Sequence, residues 1–402
     1  MTAAVALAPD VTPDELVARA RALAPRLAAR QAEADEMRQV PAASVAEMLD
    51  AGLYRVIQPK CHGGLEHGLD TFVRVGMEVA AGCGSTGWIF TTAAQHQWQI
   101  GMFHPKAQED VWGADARALA ASSYAPGGTA VAVAGGWRIS GTWLFCSGVD
   151  RVQWMVLGAR TADAPDAAPT GGGYILVPKS DFTVEDNWHV LGLRGTGSKN
   201  VILKDVFVPA HRLLTQQDAL SGAPPGAAIN PGPLFRIPFF AAITICLCAA
   251  VLGMAQGAVE TFLQSARRRD DGAPLGPAGT GIDSQIVERR IGEAVCAFDA
   301  ARALVLEDCR RIMDEVAAGG VLSQDRRAAN KGHLGYAATL CMRAVDLLYE
   351  AHGGPDAPGF DRLQRAWRDV HAGGQHISLN YDAVGSLYGR VAAGLPAGPM
   401  QF

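Results

Sequence analysis

Between Arg236 and Glu260 the chain runs for 23 residues, IPFFAAITICLCAAVLGMAQGAV, without a charged side chain. A helix of that length is long enough to cross a bilayer. A helix apolar on every side must be enclosed all round, by lipid or by other protein elements. Pro238 near its start, Gln256 inside it, its many small residues and the lack of a second such run favour protein. The expectation is a core helix around which a large helical domain packs, with no membrane involved.

Periodicity divides the rest of the chain. Residues 1–116 read as an N-terminal helical domain, with Leu16, Ala20, Leu23, Leu27 and Ala28 forming one apolar stripe after Val11-Thr-Pro-Asp14. Ser44 is a candidate N-cap with Glu47 at the capping-box position. Residues 117–214 switch to short runs of branched residues: Thr129–Val133, Trp137–Ser140, Trp154–Gly158, Gly173–Val177 and Val201–Val208. Gly135-Gly136 is expected to turn the first hairpin. A Pro/Gly/Ala-rich linker follows at 215–234, then a C-terminal helical bundle domain over 235–402, interrupted at 270–282. Val287, Ile291, Val295, Phe298, Val305 and Cys309 mark one face of a long helix there. The fold class is therefore α+β and multidomain, with the β-domain between two helical ones.

Net charge and cysteine usage exclude several functions. A charge of -5 gives no basic surface for nucleic acid. The eight cysteines form no CxxC pair and no zinc-type spacing, so reduced thiols in a cytoplasmic protein are expected. The N-terminus has no basic stretch leading into an apolar one, so no signal peptide is expected. No GxGxxG follows a strand and opens a helix, and HExxH and GxSxG are absent. The glycine cluster Gly192-Leu-Arg-Gly-Thr-Gly-Ser198 lies between strands and lacks the lysine spacing of a phosphate-binding loop.

Three clusters remain as chemistry. They are Ala120-Ala-Ser122-Ser123-Tyr-Ala-Pro126, Gly141-Thr-Trp143-Leu-Phe-Cys-Ser147-Gly148, and Arg368-Asp369-Val-His371-Ala-Gly-Gly-Gln-His376-Ile-Ser-Leu-Asn380. Gly82-Cys-Gly-Ser-Thr-Gly-Trp88, Gln95-His96-Gln-Trp98-Gln99, Trp188–Ser198 and Val206-Phe-Val-Pro209 complete the set. In this order the motifs resemble the acyl-CoA dehydrogenase superfamily. Within it they resemble the reduced-flavin-dependent monooxygenases, which include 4-hydroxyphenylacetate hydroxylases, the phenol hydroxylase of bacterial steroid degradation and indole-acetate hydroxylases. The resemblance implies an N-terminal helical domain, a central antiparallel β-barrel or sandwich domain and a C-terminal four-helix bundle.

The dehydrogenases of that superfamily need a carboxylate base, commonly a glutamate shortly after an Arg-Asp pair. Here Arg368-Asp369 is followed by the neighbourhood of His376, and no glutamate occurs after Glu350. Dehydrogenation would thereby lose a general base, a factor of roughly 10²–10⁴. The resemblance instead implies the oxygenase component of a two-component flavin monooxygenase. It would take reduced flavin (FMNH2 or FADH2) from a separate NAD(P)H-dependent reductase, use O2 through a flavin hydroperoxide, and hydroxylate a small phenolic or indolic substrate. By motif position the catalytic set is His96, Ser122, Ser147 and His376, with His96 acting on a substrate hydroxyl and Ser122 binding it. Ser147 would bond the flavin ring nitrogen and His376 would stabilise charge as oxygen adds. Trp143, Ser147, Arg194, Thr196, Ser198 and His376 would bind the flavin, and no metal is implied. His371 is set aside as a packing residue. N- or S-oxygenation by the same scaffold stays open, as does dehydrogenation. A non-catalytic member is disfavoured by the four polar residues together. The resemblance also implies a homotetramer.

Overall fold

A computed structural model describes residues 11–267 and 284–396, except 353, 355, 356 and 358. The interruption expected at 270–282 lies outside the described residues. Six helices come first: α1 (Pro13–Ala29), α2 (Gln31–Met37), α3 (Ala42–Asp50), α4 (Leu69–Gly82), α5 (Gly84–Ile100) and α6 (Pro105–Trp112). Thr12 caps α1 by accepting the Glu15 N–H, Pro13 occupies its first turn, and Leu16, Ala20, Leu23 and Leu27 are buried as the stripe requires. Ser44 does not cap a helix. It lies buried inside α3, where its hydroxyl accepts from Arg30 at 3.4 Å, and Glu47 pairs with Arg30 at 2.7 Å. That long-range ion pair outcompetes the local capping arrangement.

The central region is one seven-stranded sheet, built from β1 (Ala120–Val133), β2 (Gly136–Cys146), β3 (Trp154–Ala162), β4 (Gly171–Pro178), β5 (Thr183–Glu185), β6 (Lys199–Pro209) and β7 (Leu213–Thr215). Its order is β5-β6-β2-β1-β3-β4-β7, antiparallel except for the pair β1 and β3. The parallel pair arises because β3 crosses to the free edge of β1 after the β1–β2 hairpin. The hairpin turn is Ala134-Gly135, with Val133 opposite Gly136, one residue earlier than the Gly-Gly pair suggests. Pairing between β1 and β3 slips between Ser123 and Gly128, and this bulge lifts the intervening segment out of the ladder towards α5.

After α7 (Gln216–Leu220) the chain enters α8 (Phe239–Arg267), α9 (Ser284–Ala317), α10 (Gln324–His352), α11 (Phe360–Gly374) and α12 (Tyr381–Ala392). The uncharged run is α8, and its most apolar stretch is 83% buried against α4, α5, α10 and α11. Its fit against α4 depends on Gly253 and Gly257. A Cβ at either would fall 2.4 Å from the Met77 carbonyl or 2.6 Å from that of Ala81. Val287, Phe298, Val305 and Cys309 of α9 are buried, whereas Ile291 and Val295 are half-buried. Six cysteines are buried, but Cys61 and Cys296 are exposed, and none is in a disulfide.

Candidate functional site

Helix α5 carries Trp88, Thr92 and His96 at i, i+4 and i+8, one face spanning about 12 Å. At its C-terminal end His96 is 1% exposed. Its Nδ1 lies 2.7 Å from the Ala120 carbonyl and its Nε2 2.8 Å from the Ser122 hydroxyl. A carbonyl only accepts, so Nδ1 carries the proton and Nε2 presents a lone pair, to which Ser122 donates. Burial pushes His96 down to about 4, so the ring is neutral throughout the ordinary pH range. The bulged segment of β1 sets Tyr124 beside it, with ring centroids 6.0 Å apart. The Tyr124 hydroxyl donates to Gln99 at 2.7 Å and lies 3.2 Å from Gln95 Oε1. The buried amide nitrogens of both glutamines have no partner among the described residues. Both glutamines stand in the Gln95–Gln99 motif read from the sequence but receive no role there, although their i, i+4 spacing around His96 is a readable signal.

A second group forms where β2 ends. Phe145 has φ of 59°, a left-handed conformation that costs an L-residue about 1 kcal/mol, and Ser147 follows it. The Ser147 and Ser198 hydroxyls are 2.7 Å apart, Ser198 and Thr196 are again 2.7 Å apart, and Thr196 donates to the Leu193 carbonyl at 2.8 Å. Leu193 is also left-handed, with φ of 54°. Its N–H donates to Asp369 Oδ1 at 2.6 Å, and its carbonyl also accepts from Trp188 Nε1 at 3.2 Å. Ser85 accepts the Gly195 N–H at 3.1 Å. Gly84 approaches Asp369 so closely that a Cβ would sit 2.6 Å from Oδ2. The motifs at 82–88, 192–198 and 368–369 are thus three walls of one construction. Sequence reasoning treated Asp369 as a landmark only, yet it holds the strained loop. Burial raises its carboxyl to about 7, although the Leu193 N–H opposes the shift.

His376 follows α11 and lies against Trp88, with ring centroids 6.0 Å apart. Its Nδ1 accepts the Ser378 N–H at 3.2 Å, which leaves the proton of the neutral ring on Nε2, a donor with no partner among the described residues. Burial pushes His376 down to about 4 as well. Ile89 joins the groups, since it lies within 3.4 Å of where a Cβ on Gly148 would sit. Arg194 is half-buried with its Nε 3.4 Å from the Asp35 carbonyl. His371 bonds Asp346 at 2.9 Å and lies 4.7 Å from Trp367, a packing position.

Trp143 departs from its expected place beside a flavin. It is wholly buried, its indole N–H donates to the Gly158 carbonyl at 2.6 Å, and its ring fills the space over Gly127 and Gly128. It packs the β1–β3 irregularity and offers no face to a ligand. The rest of the expected cradle suits a reduced flavin. Among the described residues, half-buried Ser147 keeps an open acceptor and His376 an uncommitted donor. Phe145, Leu191 and Ile377, each within three residues of an expected site residue in sequence, expose 68%, 69% and 72% of their surface, apolar area that a fused ring system would cover.

The matching family models are Acyl-CoA dehydrogenase, N-terminal domain, over residues 13–116, and Acyl-CoA dehydrogenase, C-terminal domain, over 245–381. The chain is 36% identical over 376 residues to the oxygenase component of an FADH(2)-dependent resorcinol hydroxylase from Rhizobium sp. (strain MTP-10005), covering 92% of this chain and 91% of that one. Among solved structures, the HsaA monooxygenase of M. tuberculosis superposes with a TM-score of 0.88 at 31% identity, covering 96% of this chain and 100% of that one. XiaF from Streptomyces sp., in complex with FADH2 and glycerol, gives 0.87 at 30% identity, covering 97% and 98%.

Proposed function

The chain belongs to the acyl-CoA dehydrogenase superfamily and, within it, to the flavin-dependent two-component oxygenases, and from this premise we propose that it hydroxylates a small phenol. Bound reduced flavin supplies the activation of O2, of which one oxygen atom enters the substrate ring and the other leaves as water. A separate reductase supplies the reduced flavin, with FADH2 the first form to test because two relatives are named with it.

The observation that carries the reading is the pair of contacts that assigns the His96 tautomer. Its Nε2 lone pair, held by the Ala120 carbonyl on the far side of the ring, faces the Ser122 hydroxyl. A substrate hydroxyl reaching Ser122 can pass its proton along that bond, raising the electron density of the ring at the carbon to be oxygenated. Ser147 and His376 act on the flavin side, one offering an acceptor and the other a neutral donor suited to developing negative charge. Arg194, Thr196 and Ser198 shape the loop beneath them. The exposed Phe145, Leu191 and Ile377 support flavin binding between subunits of a homotetramer. On the dehydrogenase reading a carboxylate base is needed, and the buried Asp369 is committed to the Leu193 N–H.

The test supplies photoreduced FAD, O2 and a panel of phenols led by resorcinol, and follows product mass. A gain of one oxygen atom is expected. Hydrogen peroxide alone across the panel, or reduction of bound flavin by an acyl-CoA, would overturn the proposal.

A further inference from the structure

The hydroxyl chain from Ser147 to Leu193 has only one proton order. Thr196 Oγ1 lies 2.8 Å from a carbonyl oxygen, which has no proton to give, so Thr196 donates. Its single proton is then spent, so the 2.7 Å contact with Ser198 uses the proton of Ser198. The same reasoning passes to the 2.7 Å contact with Ser147, whose proton points inward at Ser198. Ser198 and Thr196 are 5% and 2% exposed, so water does not replace these bonds, whereas Ser147 is half-buried and open on its outer side. What Ser147 presents outward is a lone pair.

We propose that Thr196 and Ser198 are positioning residues that fix Ser147 as an obligate acceptor, and that this proton order makes the site select reduced over oxidised flavin. The inference rests on the placement of Ser147 against the flavin ring nitrogen. That nitrogen bears a hydrogen in reduced flavin and a bare lone pair in oxidised flavin. A fixed acceptor matches the first and opposes the second. For Ser147 to donate to oxidised flavin, two protons remain for the three inner contacts, so one of them goes unbonded, whether Ser147 turns alone or all three hydroxyls turn together and Thr196 releases the Leu193 carbonyl. Leu193 cannot follow the change, because Asp369 and Trp188 hold its two backbone groups. The cost is one net hydrogen bond, a factor of roughly two- to tenfold in Kd.

The experiment measures Kd for FAD and, anaerobically, for FADH2 on the full chain and on Thr196→Val, Ser198→Ala and Ser147→Ala. Thr196→Val keeps the side-chain shape and removes the anchoring donor, so Ser147 becomes free to point either way. Oxidised FAD is then expected to bind more tightly with little change for FADH2. The reduced-over-oxidised preference should fall by roughly two- to tenfold, and a full tenfold corresponds to about 30 mV in the midpoint potential of bound flavin. Ser198→Ala should move the ratio the same way, whereas a merely structural lesion weakens both forms alike. An unchanged ratio in both variants, with unfolding midpoints intact and Ser147→Ala still altering the ratio, overturns the proton-order mechanism and leaves the monooxygenase reading standing. If Ser147→Ala also leaves the ratio unchanged, Ser147 does not meet the ring nitrogen and the proposal falls with that assignment. Failure to bind flavin in either state overturns both.

Discussion

Replacing His96 by asparagine isolates one half of the imidazole. The asparagine amide nitrogen occupies the place of Nδ1 and can still donate to the Ala120 carbonyl, while the acceptor facing Ser122 is lost. In stability terms the Ser122 hydroxyl loses its acceptor, a cost of about 1–3 kcal/mol, so the variant should fold. In catalysis a general base contributes roughly 10²–10⁴-fold. With its pKa depressed to about 4, His96 is a weak base against a phenol of pKa near 10, which places the expected loss at the lower end, about 100-fold or about 2.7 kcal/mol. The assay mixes reduced FAD, O2 and phenols whose pKa is stepped from about 10 to about 7 by electron-withdrawing substituents, reading hydroxylated product against hydrogen peroxide. The defect of His96→Asn should shrink as the phenol becomes more acidic, because an already ionised substrate needs no base. The wild-type acid limb should fall below pH 5 rather than near 6.5, since the neutral ring persists down to about 4. A defect of equal size across the series would show that His96 positions the ring but takes no proton, and an unaffected product yield would remove it from the substrate site.

Three further outcomes are expected. Ser147→Ala should consume reduced flavin and O2 at a near-normal rate while peroxide replaces hydroxylated product, measured as product per flavin oxidised. His376→Asn, which keeps an acceptor for the Ser378 N–H but removes the Nε2 donor, should slow oxygen consumption by up to roughly 100-fold, and His376→Gln, which restores a donor there, should recover part of it in an oxygen-electrode assay. Asp369→Asn should flatten the pH dependence of stability. The native carboxyl keeps its proton up to about pH 7 while the unfolded one loses it near 3.8, so wild-type stability falls as pH rises through that window. The variant should therefore gain on wild type by about 3 kcal/mol between pH 5 and pH 8, read from urea midpoints.

The order of helices, strands and helices was legible in the sequence because it rests on local periodicity, as in the Leu16–Leu27 stripe and the uncharged run that became α8. The four polar residues proposed for the site, His96, Ser122, Ser147 and His376, stand in motifs whose members are close along the chain, so the motifs themselves could be read from the sequence. Errors arose where a distant partner overrode a local preference. Arg30 drew Ser44 and Glu47 away from a capping box, and the β1–β3 irregularity pulled Trp143 into the core.

Protonation and proton direction were decided by tertiary structure alone. Nothing around His96 in sequence says which nitrogen holds its hydrogen; the Ala120 carbonyl, 24 residues away, says it. The Ser147 proton is turned inward by Ser198, 51 residues on, in a chain anchored at Leu193, whose N–H is held by Asp369 a further 176 residues away. A hydrogen bond depends on which donor and acceptor are brought within 3 Å of each other. Sequence spacing supplies the side chains, and the folded backbone chooses their partners.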